Sequence, residues 1–361
     1  MRSVINILDL SVEEVEKLMN RAEDIIAHPD TYADACKRKK LAALFFEAST
    51  RTRLSFEAAM MELGGQVISV TGGGETSSAA KGESVADTAR TVSCYADVIA
   101  MRHPREGAAR VAAMHAGVPV INAGDGGHFH PTQTLADLLT IRRERGTLEG
   151  LTVGICGDLK FGRTVHSLIY AMSRYEGTKF VLISPEELKV PSYVKNEALK
   201  RKAVPYIQTT DLEGAMGDLD ILYMTRIQKE RFQQAADYER LRDSYILTPE
   251  KMKAGKKDLK VLHPLPRVNE ISVAVDDDPR ACYFKQVLNG KFMREALILM
   301  LLGEDGTEVS GKSAKAEREV PGKRCRNPRC ICQSEQELPS LVYEDADEPG
   351  TWRCAWCENR I

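Results

Sequence analysis

The sequence predicts an α/β chain: two doubly wound domains with parallel sheets, followed by a small C-terminal domain rich in cysteine. Short apolar runs alternate with helical patterns over the first three hundred residues, as parallel strands crossed over by helices on both faces require. The runs are too many for one sheet, so two are expected. A polar stretch at 303–323 then separates that pattern from a last segment holding five of the nine cysteines of this 361-residue chain.

The first element is a helix. Ser11 and Glu14 form a capping box, Leu10 and Val15 a hydrophobic staple, and Val15, Leu18, Met19, Ala22, Ile25 and Ile26 share one face. The apolar run Leu41–Phe46 leads into the polar cluster Glu47–Arg53 and then a helical pattern from Leu54 to Leu63, which reads as strand, turn and helix. Further strands are expected at Val67–Val70, Val98–Met101, Val118–Ile121, Thr152–Cys156, Phe180–Ile183, Ile221–Met224 and Val261–Leu262. The Gly-rich stretch Ala123–Gly127 and the turn Gly146–Gly150 bracket a helix at Thr132–Arg145, and a fresh strand begins at Leu151. The expected division is therefore 1–134, then 135–285, with the helix Gln286–Leu302 returning to the first domain. Residues 303–323 (GEDGTEVSGKSAKAEREVPGK) are too polar to fold alone and read as a linker to a domain at 324–361. No repeat of 20–50 residues is visible.

Composition narrows the function. The 50 basic and 52 acidic side chains leave a formal charge of −2 and no field for nucleic acid or an anionic membrane, so small-molecule partners are expected. The N-terminal stretch lacks a signal-peptide pattern, and no run of about 18 apolar residues occurs, which places the chain in the cytoplasm as an expectation. Crowded cysteines in a reducing compartment argue for a metal rather than disulfides.

Several polar clusters carry chemistry. In Ser49-Thr50-Arg51-Thr52-Arg53 three hydroxyls and two guanidiniums meet the free N–H groups of a helix start, which makes a phosphate socket. The plainer alternative is an N-cap with solvated arginines. No Walker loop is present, and Gly154-Ile155-Cys156-Gly157 lacks the spacing that seats a dinucleotide, so nucleotide hydrolysis and hydride transfer are disfavoured. The loop Thr71–Ser84 offers Ser77 and Lys81 to an anion, although alone it reads as a surface loop. Arg102 follows a strand, and His130-Pro131-Thr132-Gln133 opens a helix, where α/β proteins place their sites. Arg163 starts a helix after the strand Thr152–Cys156, and Arg226 and Gln228 follow Ile221–Met224; two arginines suit two carboxylates. His263-Pro264-Leu265-Pro266-Arg267 ends a strand with prolines that fix the backbone and leave carbonyls free to accept from an amine; a merely rigid turn is the alternative.

Taken together, FFEASTRTRLSFE, KGESVADT, MRHPREGAAR, HPTQTLADL, GDLKFGRTVHSL, YMTRIQKER and HPLPR resemble the aspartate carbamoyltransferase family over nearly all of 1–302. The resemblance implies a homotrimeric enzyme of pyrimidine biosynthesis that transfers the carbamoyl group of carbamoyl phosphate to L-aspartate. It implies that Ser49, Thr50, Arg51 and Thr52 hold the phosphate, and that Thr52, Arg102 and His130 bind the carbonyl oxygen. Gln133 and the turn Pro264, Leu265 and Pro266 would hold the carbamoyl amine, and Arg163, Arg226 and Gln228 the aspartate carboxylates. Ser77 and Lys81 would arrive from a neighbouring subunit. Neither a catalytic metal nor any other catalytic cofactor is expected. Two alternatives stand beside this reading. One is a relative acting on ornithine, disfavoured by Pro264, where a cysteine is expected, and by Arg226 and Arg267, which suit a dianion. The other is a catalytically silent homologue kept as an assembly scaffold.

In the last segment, Cys325-x₄-Cys330 and Cys354-x₂-Cys357 form two knuckles suited to one structural Cys₄ zinc (Zn), while Cys332 lies where it can compete as a ligand; a redox pair or free thiols is the alternative. CRNPRC, ICQSE and RCAWCENR resemble the zinc portion of the regulatory chain of the same family, here fused to the catalytic chain. The linker has no room for that chain's nucleotide-binding half. Between Cys330 and Cys354 six acidic residues face Arg353 alone, which favours a protein interface, such as one joining trimers, over nucleic acid.

Overall fold

A computed structural model of the chain describes residues 2–72, 82–227, 234–303, 316–335, 337–346 and 348–361. The chain clusters into two units, Met1–Thr132 with Lys291–Ile361, and Gln133–Gly290. Both boundaries fall inside helices, one spanning Pro131–Arg145 and the other Tyr283–Leu301.

The first unit is built on a four-stranded parallel sheet of β1 (Lys40–Phe45), β2 (Gln66–Thr71), β3 (Val98–His103) and β4 (Val120–Asp125), in the order β2-β1-β3-β4. Its first helix, α1 (Val12–Ala27), is capped as expected: Ser11 Oγ accepts from Glu14 N–H at 3.2 Å, and the Glu14 carboxylate accepts from Ser11 N–H at 2.8 Å. Val15, Leu18, Met19, Ala22 and Ile25 are buried. The helix after β1, α2, runs Thr50–Glu62 and so begins four residues before the expected Leu54. Ser49 is its N-cap residue, and the polar cluster is therefore the first helical turn itself. Strand β4 extends past the expected Ile121 to Asp125, because the stretch that reads as a glycine turn still pairs with the end of β3, His103 opposite Asp125. Helices α3 (Val85–Val92) and α4 (Ala108–His115) complete this layer.

The C-terminal segment belongs to the same unit. It contains an antiparallel sheet of β10 (Arg318–Glu319), β11 (Leu341–Glu344) and β12 (Trp352–Cys354), in that order. The chain is thus back in a sheet by Arg318, inside the stretch read as a linker, because Arg318 and Glu319 pair with Val342 and Leu341. Cys325, Cys330, Ile331, Cys354, Trp356 and Cys357 form one buried cluster with residues of β1, β3, α3 and α4, including Leu44, Met101, Ala89 and Val111. A segment too small for a core of its own shares its neighbour's.

The second unit has a five-stranded parallel sheet of β5 (Thr152–Cys156), β6 (Lys179–Ile183), β7 (Tyr206–Thr209), β8 (Ile221–Met224) and β9 (Lys260–Leu262), in the order β7-β6-β5-β8-β9. The edge strand β7 is not anticipated by the sequence reading; it is four residues long and none of its side chains is fully buried, so it leaves no apolar run. The helix crossing back from Pro131 is α5 (Pro131–Arg145), that after β5 is α6 (Arg163–Met172), and the last is α7 (Tyr283–Leu301).

Gly107, the N-cap of α4, has φ +89°, and a Cβ there would lie 2.6 Å from the Trp356 carbonyl oxygen. Gly107→Ala is expected to cost about 1–3 kcal/mol and to loosen the C-terminal segment. Both tryptophans of the chain, Trp352 and Trp356, lie in that segment. Tryptophan emission therefore reports on it alone, and a red shift in the variant is the expected result.

Candidate active site

In the first unit the candidate residues collect at the carboxyl ends of the parallel strands, where open α/β sheets bind ligands. Strands β1 and β3 pair in parallel with Phe45 opposite Arg102, and the Phe46 N–H continues the ladder to the Arg102 carbonyl at 2.9 Å. That register places the segment Glu47–Arg53 beside the Arg102 side chain. Ser49 is half-buried, Thr50 and Arg51 are exposed at the helix start, and Thr52 is buried. The first N–H groups of α2, the helix-start dipole and the nearby guanidiniums all favour an anion.

Arg102 lies under this turn. Its guanidinium pairs with Glu47 at 3.2 Å and donates to the Ala123 carbonyl at 3.4 Å. Burial lowers its pKa; Glu47 opposes that, and the charge of Arg51 adds to it. Two guanidiniums close enough to repel one another, one of them paired with Glu47, are an environment that gains from a bound anion. Glu47 is a residue the sequence reading left in the polar cluster without a role.

His130 is buried immediately before α5, at the end of the loop leaving β4. Asp125 ties that loop down: its carboxylate accepts from Gly107 N–H at 2.8 Å, Phe129 N–H at 3.0 Å, Asn122 Nδ2 at 2.9 Å and His128 Nδ1 at 3.1 Å. Burial alone would lower the pKa of His128, but the Asp125 and Glu358 carboxylates overcome it and raise it well above the ordinary value. Glu106 is a second anchor and is only 4% exposed. It accepts from Gly127 N–H at 3.3 Å, Asn327 Nδ2 at 2.6 Å and Asn359 Nδ2 at 3.2 Å. Its backbone also accepts from Ile331 N–H and donates to the Arg329 carbonyl, each at 2.9 Å. The loop that carries His130 is thus bonded to the C-terminal segment. Sequence reasoning missed Glu106, Asp125 and His128. A signal was available in Asn327 and Asn359, each two residues after a cysteine.

In the second unit the loops after β5, β8 and β9, three neighbouring strands, carry the remaining candidates. Arg163 is the first residue of α6, and Gly162 is its N-cap. Gly157, with φ +123°, lets the loop after β5 approach the loop after β8: a Cβ there would meet the Thr225 carbonyl oxygen at 2.1 Å. Arg226 follows directly and is half-buried, and Ile227 anchors that loop against Leu188 and Leu241. After β9, His263 is buried; its Nδ1 accepts from Leu265 N–H at 2.7 Å, and its Nε2–H donates to Glu270 at 2.7 Å. Burial lowers the pKa of His263 against the pull of Glu270, which keeps the ring neutral in that tautomer. The turn Pro264, Leu265 and Pro266 is held by this ring, with a cis bond before Pro266. Arg267 is committed elsewhere: it forks onto Asp276, with one nitrogen at 2.6 Å, and lies near the Tyr283 hydroxyl. That pairing removes it from the argument for an anionic acceptor.

Gln133 donates Nε2–H to the buried Asp137 carboxylate at 2.8 Å, and the same oxygen accepts from Gln286 Nε2 at 2.5 Å. Gln286 Oε1 in turn accepts from His263 N–H at 3.0 Å. Ser77, Lys81 and Gln228 lie outside the described residues.

The cysteines of the C-terminal segment converge. Cys325 Sγ lies 3.6 Å from Cys357 Sγ, Cys330 Sγ 3.8 Å from Cys354 Sγ, and Cys332 Sγ 3.2 Å from Cys330 Sγ. The sulfurs of Cys325, Cys330, Cys332 and Cys354 all lie within 4.8 Å of one another. A tetrahedral zinc with bonds of about 2.3 Å has sulfur–sulfur edges of about 3.8 Å; the pairs Cys325–Cys357 and Cys330–Cys354 each stand near that spacing, while the four sulfurs mutually within 4.8 Å include Cys332 in place of Cys357.

Comparison with known proteins identifies the family of residues 2–301. The family model for the carbamoyl-P binding domain of aspartate/ornithine carbamoyltransferase matches residues 2–143, and that for the Asp/Orn binding domain matches residues 149–301. Aspartate carbamoyltransferase catalytic subunits of Lachnoclostridium phytofermentans and of Clostridium botulinum (strain Langeland) are 61% and 59% identical over 302 residues, covering 84% of this chain and 98% of theirs. The solved catalytic subunit of M. jannaschii aspartate transcarbamoylase is similar with a TM-score of 0.78 and 44% identity, over 85% of this chain and 100% of that one. The Trypanosoma cruzi aspartate transcarbamoylase, solved with carbamoyl phosphate and aspartate, reaches 0.78 and 38% over 82% of this chain and 95% of its own. Both family models end by residue 301, so the cysteine segment lies outside them.

A pH dependence follows from His103, at the end of β3. Burial lowers its pKa from 6.5 to about 4, and its Nδ1 accepts from Arg105 N–H at 3.0 Å. The unfolded chain takes up a proton below pH 6.5 that the folded chain refuses until about pH 4. Stability from this group is therefore whole above pH 6.5 and lost as the pH falls towards 4, by about 2 kcal/mol between pH 7 and pH 5. Denaturant unfolding at the two pH values should show His103→Gln losing less stability over this interval than the unchanged chain, by about that amount.

Proposed function

The chain belongs to the family of aspartate and ornithine carbamoyltransferases, and from that premise we propose how its own residues divide the reaction. The chain is an enzyme, an aspartate carbamoyltransferase: it transfers the carbamoyl group of carbamoyl phosphate to the amine of L-aspartate, a step of pyrimidine biosynthesis. The observation that carries the division of roles is the start of α2 at Thr50, inside the Ser-Thr-Arg-Thr-Arg cluster and beside Arg102.

Residues 1–134 form the carbamoyl phosphate-binding part in this reading, and residues 135–285 the aspartate-binding part. Ser49, Thr50, Arg51 and Thr52 bind the phosphate through hydroxyls, helix-start N–H groups and the guanidinium. Thr52, Arg102 and His130 donate to the carbonyl oxygen, on which negative charge grows as the aspartate amine adds to the carbamoyl carbon. Donors fixed before the reaction stabilise that charge without reorganising, and loss of one typically lowers turnover 10²–10³-fold. Because Gln133 gives its amide N–H to Asp137, its Oε1 is left to accept from the carbamoyl amine, together with carbonyls of the Pro264–Leu265–Pro266 turn. When the tetrahedral intermediate collapses, the bond from carbon to the bridging oxygen breaks, and phosphate leaves and accepts the proton. Arg163, Arg226 and Gln228 hold the two carboxylates of aspartate. Ser77 and Lys81 complete the phosphate site from a neighbouring subunit of a trimer. No catalytic cofactor is needed, since the donor is already activated and the protein supplies position and charge.

Aspartate rather than ornithine is supported by Arg163 and Arg226 together with Pro264. Arg267 adds nothing to this choice, being paired with Asp276. The C-terminal segment holds one structural zinc through Cys325, Cys330, Cys354 and Cys357; the paired sulfur spacings of 3.6 Å and 3.8 Å support that set. Bound there, the ion supplies cross-linking to a fold with little core of its own. Among the described residues no helix is long and apolar enough to cross a membrane, which is compatible with a cytoplasmic enzyme. The acidic stretch between Cys330 and Cys354 is the candidate segment for pairing trimers.

Initial rates with carbamoyl phosphate should show turnover with L-aspartate and none with L-ornithine. Arg226→Ala should lose aspartate turnover by 10²-fold or more while still binding carbamoyl phosphate; turnover with ornithine alone would overturn the acceptor assignment. Metal analysis of the purified chain should find one zinc per chain, and a strong chelator should red-shift the emission of Trp352 and Trp356. An unchanged spectrum after complete metal removal would contradict the structural role.

A further inference from the structure

Four thiolates complete a tetrahedral zinc site, yet five thiols meet in the C-terminal segment. With Cys325, Cys330, Cys354 and Cys357 as the proposed ligands the extra one is Cys332, which lies within 4.8 Å of Cys325, Cys330 and Cys354. Its sulfur stands 3.2 Å from that of Cys330, closer than the edge of about 3.8 Å that two ligands of one zinc would keep. It is also the partly exposed member, whereas Cys325, Cys330, Cys354 and Cys357 are buried. Gln333 Nε2 donates towards its sulfur at 3.6 Å.

We propose that Cys332 is a modification site at which a hydroperoxide oxidises the zinc segment, joining Cys332 to Cys330 and releasing the metal. The inference rests on the zinc assignment above. The Cys332 thiolate attacks one oxygen of hydrogen peroxide, the O–O bond breaks, and hydroxide leaves, giving a sulfenic acid. The Cys330 thiolate then attacks that sulfur; the S–S bond forms and a second hydroxide leaves. The two thiolates lose two electrons, the peroxide gains them, and two protons from solvent turn the hydroxides into two waters. The sulfurs have to close from 3.2 Å to about 2.05 Å. Zinc is left with three of its four thiolates and is lost.

Cys330 lies at the docking seam, where it bridges to Glu106 and is followed by Ile331, whose N–H bonds the Glu106 carbonyl. Oxidation there acts on the contact that ties the segment to the loop carrying Gly127. Among the remaining described cysteines Cys94 is exposed and Cys36, Cys156 and Cys282 are buried, so Cys94 is the other thiol open to solvent.

The test uses the full, zinc-loaded chain carrying Cys94→Ser. Hydrogen peroxide is added, zinc release is followed with a chromogenic chelator, and disulfides are mapped by mass spectrometry without reduction. The expected result is one zinc released per chain with one Cys330–Cys332 disulfide, and reuptake of zinc after dithiothreitol. Cys332→Ser added to this background should bind one zinc and release it at least tenfold more slowly. Release at an unchanged rate in that variant would overturn the proposal, as would a disulfide that omits Cys332. A Cys332→Ser chain unable to bind zinc would overturn it too, by making Cys332 a ligand. Absence of zinc before any oxidation would instead remove the zinc assignment itself, and the two failures are told apart at the first metal analysis.

Discussion

The backbone hydrogen bond from Phe46 N–H to the Arg102 carbonyl is the constraint on which the cationic corner at the start of α2 depends. It carries the parallel pairing of β1 and β3 one residue beyond the strand, so the chain must turn into α2 directly above Arg102. Helix-start N–H groups, the Arg51 guanidinium and the half-buried Arg102 are then neighbours by topology, before any side chain has chosen a rotamer. Arg294 supports the same corner from α7, donating to Ser55 on α2 and to Thr132 on α5 at 3.1 Å and 3.3 Å and lying over the Phe56 ring. A cationic corner of this kind is costly without an anion. Glu47 offsets part of the repulsion, and a bound anion would offset more of it.

The C-terminal segment adds a second level of constraint. Glu106 is buried, and a lone buried carboxylate would be expensive. Its cost is offset by two asparagine amides from the segment and one backbone N–H from the loop that leads to His130. Arg110 does the converse: it pairs with Glu317 at 2.5 Å, donates to the Ala355 carbonyl and lies over the Trp356 ring. The contact is therefore a set of mutually satisfied polar groups around an apolar centre, and removing either partner would leave buried charge behind. This explains physically how so short a segment holds its place.

Much of this was legible in the sequence, and the residues show why the rest was not. The capping box at Ser11 and Glu14, the apolar face from Val15 to Ile25 and the parallel strands are local or periodic signals, and they read true. Helix α2 begins earlier than its periodicity suggests, because an N-terminal turn of Thr and Arg has no apolar stripe to mark it. The end of β4 hides in Asn122-Ala123-Gly124-Asp125, a glycine-bearing stretch that looks like a turn and becomes strand only by pairing with β3. Strand β7 has no apolar face to announce it. The site residues that sequence reasoning missed, Glu47, Glu106, Asp125 and His128, share one property: each matters through a partner far along the chain or around a turn, and no spacing rule encodes such pairs. Arg267 erred the other way, since a strand-end arginine looks available until Asp276 is seen beside it.

The most direct measurement is calorimetric titration of the chain with inorganic phosphate, the part of the donor that the α2 start and Arg51 are assigned to hold. The account predicts saturable binding of one phosphate per chain that weakens at least tenfold in Arg51→Gln, with the thermal unfolding profile unchanged. Equal affinity in the chain and the variant would contradict it, because the anion would then be held by something other than the turn on which the mechanism is built.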